Sequence, residues 1–371
     1  MMIWCFLIVF LTGLGLSYAG GFFIRKYGPK YGLVDKPGHR KIHEKVMPTD
    51  GGLAIWFAVV APLAVAQLVL WLLMWDRSDG QISIPIPAMI EVHLPGLWQQ
   101  SVKLWQLLGL GTVLVALGLI DDLYALGWKF RIGIQFLVAI TIVSLGWHAS
   151  FFIDLPWLTF LLSVFWIVGL VNSFNMLDNM DALSAGVATI CAASLALIML
   201  LMPSPVTNQP QLFIGGFLLL LVGATLGFLG HNRPPAKLFM GDSGAYFIGY
   251  LLATSTLSAT FAGYNVPKQT IFVPLTILAV PLYDTISVVL IRLKEGRSPF
   301  VGDKSHFSHR LVALGFSKPQ AVAVVYLVTT ICCLGAVLLY HVDMTGASIV
   351  FLQVVLILIL VAVIETTRKN K

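Results

Sequence analysis

The sequence predicts an all-α, polytopic integral membrane protein, and three observations carry this prediction. Charged residues make up only 11% of the 371 residues, whereas a soluble domain typically has about 25%. Hydrophobic residues make up 58%, and the mean hydropathy is +0.89. The apolar residues form continuous runs of about 20 residues, enough for a helix to cross about 30 Å of hydrocarbon, whereas a membrane β-barrel alternates apolar and polar residues. These features exclude a soluble globular enzyme, a disordered chain and a fibrous repeat.

Eleven apolar segments are expected to form transmembrane helices. Their approximate bounds are 3–24, 53–74, 104–121, 132–149, 156–174, 182–202, 212–230, 244–262, 270–291, 320–340 and 346–364. No basic residue precedes the first segment, and Arg25 and Lys26 follow it, which is the reverse of the order in a signal peptide. We therefore expect a retained first helix with its N-terminus outside and, after the last crossing, a cytoplasmic C-terminus.

The positions of the basic residues support this orientation. With the N-terminus outside, every Lys and Arg except Arg77, Lys103 and Lys268 falls on the inner side, as the positive-inside rule requires. One helix more or fewer would remove this asymmetry. The chain is expected to be a single membrane-embedded domain, 1–371, without internal repeats. Its predicted cytoplasmic loops are about 25–52, 122–131, 175–181, 231–243 and 292–319.

Acidic residues also crowd on the predicted inner side, several of them at helix ends. Acidic residues do not set topology, and ionisable groups at membrane depth are costly and by default mark a function. Asp121 and Asp122 are adjacent at the end of the third segment. They repel each other unless a cation or donor balances them, and Lys129 and Arg131 are close in sequence. The alternative is a solvated pair at a helix end.

The connection between the fifth and sixth segments carries a second polar group. Asn175, Asp178 and Asp181 are spaced three residues apart, which in a helix fans them over one side. Oxygen ligands of this kind suit Mg²⁺ or the hydroxyl groups of a sugar. The alternative is a polar turn in which Asp181 is the N-cap of the sixth helix.

A third group, Gly241-Asp242-Ser243-Gly244, precedes the eighth segment. Free amides at a helix start attract phosphate, and a carboxylate beside an anion site implies a metal between them. A plain N-cap is the alternative. In the last large inner loop, His306 and His309 lie among basic residues without a third zinc ligand nearby, so a phosphate clamp is favoured over a chance surface pattern.

Two further features are less specific. Asp284 lies inside the ninth segment, where its partner is expected to be either Arg292 or a substrate group, and a purely structural buried pair is the alternative. The first inner loop has a basic strip ending at Lys45, which fits either a diphosphate or anionic lipid headgroups. Together the groups indicate a polyanion site on the inner face, in which carboxylates hold Mg²⁺ and cations neutralise phosphate oxygens. Phosphoryl transfer needs this set, and no P-loop pattern is present.

Four motifs in this order resemble the polyprenyl-phosphate N-acetylhexosamine-1-phosphate transferases, integral membrane enzymes of bacterial envelope glycan assembly. The motifs are Asp121-Asp122, Asn175-x-x-Asp178-x-x-Asp181, Phe239-Met240-Gly241-Asp242 and His306-x-x-His309-Arg310. The resemblance spans a catalytic core of about 25–320. It implies transfer of a sugar 1-phosphate, most simply GlcNAc-1-phosphate, from a UDP-sugar to undecaprenyl phosphate with release of UMP. It also implies Mg²⁺ or Mn²⁺ as cofactor.

The resemblance assigns roles to named residues. It implies that Asp121, Asp122, Asp178, Asp181, His306 and His309 are catalytic and that Asp242, Asp178 and Asp121 are metal ligands. Substrate binding is expected of Lys45, Arg131, Asn175, Asn179, Phe239, Asp284, Arg297, Lys304 and Arg310. Phe239 matches a position that stacks on uracil in the family, although an aromatic residue at a helix edge is also ordinary core.

In the loop after Asp303, the MraY-like branch of the family has three consecutive histidines. This chain has His306-Phe307-Ser308-His309 instead, which is similar to the WecA/TagO-like branch. Thr49 and Asp50 depart from the branch, in which a basic residue is common nearby. An MraY-like phospho-MurNAc-pentapeptide transferase is the alternative activity. A transporter, which would place charges near the midplane, is the alternative of another class. Expected partners are undecaprenyl phosphate, a UDP-N-acetylhexosamine and membrane lipids, with a homodimer left open and no nucleic acid. The expected location is the bacterial inner membrane, with the site facing the cytoplasm.

Overall fold

The computed structural model describes residues 2–35, 46–79, 91–149, 155–202, 209–259, 268–300 and 302–366. Within these ranges the chain forms thirteen α-helices: α1 (Met2–Tyr27), α2 (Gly52–Asp79), α3 (Leu94–Tyr124), α4 (Trp128–Ser144), α5 (Pro156–Leu177), α6 (Leu183–Leu201), α7 (Leu212–Asn232), α8 (Gly241–Ser258), α9 (Phe272–Ile277), α10 (Ala279–Lys294), α11 (Phe307–Ala313), α12 (Lys318–Leu338) and α13 (Met344–Thr366). Two short 3₁₀ helices, Gly28–Tyr31 and Lys268–Ile271, complete the helical elements of this part of the chain.

The all-α polytopic prediction is confirmed, and the eleven predicted segments fall on these helices. Eight helices are long and apolar enough to cross a membrane, and a bent pair, Lys268–Ile277 with Ala279–Lys294, makes up to nine. The pair bends by 65° next to Pro274 and Pro281, which cannot donate a helical amide hydrogen bond. The other two segments fall on α4, which has 17 residues, and on α8, which has 18. The count of eleven spans and their orientation stay predictions.

Helix α8 lies at the centre of the described fold, packed against α2, α3 and α5. Every residue from Ser243 to Leu257 is buried. Tyr246, Phe247 and Tyr250 are among the largest fully buried side chains. The hydroxyl of Thr254, buried within this helix, donates to the carbonyl of Tyr250 one turn earlier at 2.8 Å, so burial leaves it with a hydrogen-bond partner.

Glycines let three helices meet backbone to backbone at the start of α8. A Cβ atom on Gly52 of α2 would lie 2.1 Å from the amide nitrogen of Gly244. A Cβ atom on Gly118 of α3 would lie 2.3 Å from the amide nitrogen of Ser243. Such close approach is possible only without a side chain. These contacts bring the end of α3, with its two aspartates, next to the start of α8.

The segment before α2 is fixed to the segment before α8. Strand β1 (Val34–Asp35) pairs antiparallel with β2 (Met47–Pro48), with Val34 opposite Pro48. The amide of Phe239 donates to the carbonyl of Pro48 at 2.9 Å, and the amide of Gly51 donates back to the carbonyl of Phe239 at 2.9 Å. These hydrogen bonds join main-chain groups and need no particular side chain. They hold the backbone around residue 50 directly against the start of α8.

Candidate active site

Asp242 lies at the start of α8, where side chains from two other helices reach it. Asn175 of α5 donates from Nδ2 to Asp242 Oδ1 at 2.7 Å. Arg131 of α4 approaches Asp242 Oδ2 at 3.4 Å, and the Tyr246 hydroxyl donates to the same oxygen at 3.2 Å. Gly241 just before it has a φ of +75°, a conformation that favours glycine and turns the chain into the helix. Two motifs more than 60 residues apart are thus joined.

Asp121 and Asp122 have different partners although they are adjacent. Arg131 donates from Nη1 to Asp121 Oδ2 at 2.5 Å, and the Leu126 amide donates to Asp121 Oδ1 at 2.8 Å. Asp122 Oδ2 accepts the backbone amide of Asp242 at 2.8 Å. The repulsion expected of two neighbouring carboxylates is therefore relieved by one cation and one backbone donor. Of the two basic residues close in sequence, Arg131 is the one that pairs with Asp121, and its substrate role stays a prediction.

The turn between α5 and α6 places Asp178 beside the same group. Burial raises the pKa of Asp178 well above its usual value, and the nearby carboxylates of Asp242, Asp122 and Asp181 raise it further. Asp181 accepts the amide of Ala236 at 2.9 Å and so fixes the loop before α8. The N-cap of α6 is Ala182, so the interpretation of Asp181 as that cap is wrong.

The histidine segment is held by Asp284 of α10. Asp284 is fully buried, and its Oδ2 lies 2.9 Å from His306 Nδ1. The amide of Phe307 donates to Asp284 Oδ1 at 2.6 Å, which satisfies a free donor at the start of α11. Arg292, one of the two partners considered for Asp284, instead donates to Asp303 at 3.0 Å, and Asp284 forms a buried pair with His306. Asp284 and Arg292 are eight residues apart on α10, which separates them by about 12 Å along the helix axis.

Replacing Asp284 therefore has a predictable effect on the segment that it holds. Asp284→Ala removes both the partner of His306 and the cap of α11. Hydrogen bonds to a charged group contribute about 1.5–3 kcal/mol, so we expect a melting temperature in detergent several degrees below that of the wild type. Asp284→Asn keeps an oxygen acceptor for Phe307 and should lose less. Equal melting temperatures for Asp284→Ala and the wild type would contradict the assignment.

Further contacts bring the predicted inner loops together. Ser308 donates to Asn179 Oδ1 at 2.6 Å, which joins α11 to the turn that carries Asp178. Phe300 stacks on Trp128 with ring centroids 4.0 Å apart, which joins the loop before α11 to the start of α4. Burial and the proximity of His306 and Lys304 lower the pKa of His309 to about 4. A neutral His309 is therefore expected in the absence of a bound anion.

Several residues predicted to bind substrate have protein partners. Arg297 pairs with Glu295 and, at 2.6 Å, with Asp303. Although burial acts in the opposite direction, Arg292 and Ser305 hold the pKa of Asp303 below its usual range. Arg310 donates to Glu365, Ser287 and Ser305. Lys304 is exposed and Phe239 is half-buried, whereas Lys45 lies outside the described residues. The substrate roles of these residues stay predictions.

Asp50 is a site residue that the sequence did not single out. It is fully buried with a φ of +64°. Ser243 donates to Asp50 Oδ1 at 3.0 Å, while Asp50 Oδ2 has no hydrogen-bond partner among the described residues. Burial raises its pKa to about 6. Its departure from the expected branch pattern, directly before Gly51-Gly52, was the signal that could have identified it.

The donor set fits a divalent cation in charge and in ligand type. Six carboxylates gather around the start of α8, and Arg131 is the sole Lys or Arg that forms an ion pair with any of them in the described ranges. These carboxylates belong to Asp50, Asp121, Asp122, Asp178, Asp181 and Asp242. Burial first, and then this excess of negative charge, raise the pKa of Asp178. No three acidic, histidine or cysteine side chains of the described residues are already arranged around one metal position.

Comparison with known proteins decides the family. Residues 104–260 match glycosyl transferase family 4. A probable undecaprenyl-phosphate N-acetylglucosaminyl 1-phosphate transferase of Bacillus subtilis is 32% identical over 85% of this chain and 80% of that protein. The chain belongs to glycosyl transferase family 4. Its membership confirms the enzyme class over the transporter alternative.

The names of two further relatives agree with the branch predicted from the histidine loop. A decaprenyl-phosphate N-acetylglucosaminephosphotransferase of Mycolicibacterium smegmatis is 29% identical over 98% of this chain and 89% of that protein. An undecaprenyl-phosphate alpha-N-acetylglucosaminyl 1-phosphate transferase of Escherichia coli K12 is 28% identical over 82% of this chain and 76% of that protein. The family 4 match covers the acidic motifs from α3 to α8 and ends before the histidine segment.

Proposed function

We propose that this protein transfers GlcNAc-1-phosphate from UDP-GlcNAc to undecaprenyl phosphate at the cytoplasmic face of the bacterial inner membrane, releasing UMP. The observation that carries the proposal is the meeting of Asp122, Asn175 and Arg131 at Asp242, at one end of the helix bundle. Three separate motifs of a phosphotransferase family thereby form one acidic site beside a cationic group. The names of the three relatives support the sugar and the polyprenyl acceptor.

Mg²⁺ would be held by Asp178 and Asp242 with Asp121, and when bound it would neutralise the charge of the diphosphate. The chain itself positions the reactants. Arg131, which already balances Asp121 and Asp242, can contribute its remaining donors to a phosphate oxygen. Ser308, the residue before His309, donates to Asn179 in the turn that carries Asp178. Catalysis of phosphoryl transfer consists largely of such positioning and charge stabilisation.

In the simplest mechanism an oxygen of the lipid phosphate attacks the β-phosphorus of the UDP-sugar, and UMP leaves. A phosphate monoester has a second pKa of about 6 and is mostly dianionic at neutral pH, so a strong general base is not required. Asp122 would then position the lipid phosphate. The alternative is a two-step route through an aspartyl-phosphate. Inversion of configuration at the β-phosphorus would support direct attack, and retention would support the covalent route.

The deciding experiment is product analysis with the purified protein. Undecaprenyl phosphate is incubated with Mg²⁺ and a panel of UDP-N-acetylsugars that includes UDP-GlcNAc, UDP-GalNAc and UDP-MurNAc-pentapeptide. We expect undecaprenyl-diphosphate-GlcNAc and an equal amount of UMP. Turnover of UDP-MurNAc-pentapeptide alone would replace the proposal with the MraY-like activity. Absence of any lipid-linked sugar and of UMP in the whole panel would refute it.

A further inference from the structure

A buried carboxylate lies near the end of the most apolar helix of the described chain. Helix α13 has a mean hydropathy of 3.1 over its most apolar 18 residues, yet its penultimate residue is Glu365 with a side chain only 5% exposed. Glu365 Oε2 accepts from Arg310 Nε at 2.8 Å and from the Tyr283 hydroxyl at 2.9 Å. A buried charge is costly unless it is paired. An apolar helix that only anchors the protein in the membrane does not need a buried carboxylate, so the pairing of Glu365 with Arg310 requires another explanation.

Arg310 ties Glu365 to the histidine segment. It follows His309 directly in α11, and besides Glu365 it donates to Ser287 Oγ at 2.9 Å and to the carbonyl of Ser305. Ser287 and Tyr283 both lie on α10, one helical turn apart, so α10 and α13 hold the guanidinium from two sides. The charged group has three kinds of partner and little freedom to move.

The other end of the same segment is held independently. Asp284 contacts His306 and the amide of Phe307 at 2.9 and 2.6 Å. His309 lies between the two fixed ends, with its ring centroid 6.1 Å from that of His306. Asp284 thus fixes the start of α11, and Glu365 fixes the position after His309. Loss of either carboxylate would leave His309 supported on one side only.

The opposite side of α11 meets the acidic site. Ser308 donates to Asn179 in the turn that also carries Asp178. A shift of α11 therefore changes the position of His309 relative to Asp178. Glu365 has no contact of its own with the acidic residues among the described contacts, so any effect that it has on them must pass through its two partners, Arg310 and Tyr283.

We propose that Glu365 positions His309 through Arg310, so that the last transmembrane helix is part of the catalytic unit. The proposal rests on the proposed transferase function. It extends the catalytic core beyond the 25–320 expected from the sequence. Glu365 is a positioning residue, since it contacts no reacting group.

The test compares Glu365→Gln and Glu365→Ala with Asp343→Asn, which removes one carboxylate from the exposed start of the same helix. Asp343 caps the amide of Gly346, and Asn can replace it in that contact. We expect kcat to fall about tenfold in Glu365→Ala, the equivalent of about 1.4 kcal/mol, and less in Glu365→Gln. Tyr283→Phe, which removes one hydrogen bond, should give a smaller loss in the same direction. Asp343→Asn should retain wild-type kcat.

A double-mutant cycle separates positioning from a general structural effect. In the His309→Ala background, Glu365→Ala should cause less than about a twofold further loss, because residues that act through one group are not additive. The two single variants should also divide their effects between kcat and KM in the same way. Multiplication of the two losses would overturn the proposal, as would wild-type kcat in Glu365→Ala.

Hydrogen exchange provides a readout that does not depend on activity. Amides in 302–313 should exchange faster in Glu365→Ala than in the wild type or Asp343→Asn, while amides of α8 should be unchanged. Unchanged exchange in 302–313 would overturn the proposal. If the wild-type protein made no lipid-linked sugar, the proposed function would fail, while the exchange rates would still decide whether Glu365 fixes this segment.

Discussion

Asp242→Asn is expected to reduce turnover by at least about a hundredfold. Asp242 is where Asn175, Arg131 and the end of α3 meet, and removal of one preorganised electrostatic group typically costs about 10²–10³ in kcat. Asn has nearly the same shape, so the packing at the start of α8 should persist. The measurement is UMP release with saturating UDP-GlcNAc, undecaprenyl phosphate and Mg²⁺.

The same variant should not be less stable than the wild type without Mg²⁺. The Asp242 carboxylate contributes to the raised pKa of Asp178, so its removal relieves repulsion in the folded state. With Mg²⁺ present, the wild type should gain melting temperature and Asp242→Asn should gain much less, because a ligand stabilises only the form that binds it. Asp343→Asn is the control with an equal charge change. Wild-type turnover in Asp242→Asn would refute the assignment of Asp242 as a metal ligand.

Gly118→Ala is expected to abolish activity although it adds only one uncharged methyl group. The new Cβ would lie 2.3 Å from the amide nitrogen of Ser243 and 2.5 Å from the carbonyl carbon of Asp242. Both are backbone atoms, so α3 must move away from α8 rather than a side chain giving way. A displacement of about 1 Å in a catalytic arrangement costs about a hundredfold in rate. Overpacking also costs about 1–3 kcal/mol of stability.

Gly109→Ala is the matched control for this prediction. Gly109 lies on the same helix, and its added Cβ would meet no atom within 4 Å. Replacing a glycine inside a helix by alanine stabilises it by roughly 0.5–1 kcal/mol, so this variant should keep its activity and lose no melting temperature. The comparison uses UMP release and thermal unfolding in one detergent. Equal activity of the two variants would show that the contact between α3 and α8 does not set the site geometry.

The elements that the sequence predicted well are those with a local cause. The apolar segments fell on helices because burial of long apolar runs and satisfaction of backbone groups act within one segment. The grouping of Asp121, Asp178 and Asp242 followed from charge asymmetry, which sorts loops by side. The weaker predictions concern single partners. Arg292 is close to Asp284 in sequence and was considered as its partner, yet the partner in the structure is His306.

Asp50 and Glu365 show what the sequence pattern did not reveal. Neither belongs to a motif with regular spacing, and Glu365 looks like a charged residue at the end of an anchor helix. Their burial depends on contacts with Ser243 and Arg310, which lie 193 and 55 residues away in the chain. Such contacts form only when the helices pack against one another.

By itself, the sequence determined the helical membrane class, the residues that gather at one end of the bundle and the family resemblance. The transfer of apolar side chains out of water and the periodicity of a helix both act between residues that are close in sequence, so the sequence alone reveals them. Only the tertiary structure decided which carboxylate faces which partner: Asp122 the amide of Asp242, Asp284 His306, and Glu365 Arg310. The reason is that these pairings depend on the angles and distances at which helices meet, and for Asp122 the backbone contacts at Gly52 and Gly118 bring α2 and α3 against the start of α8.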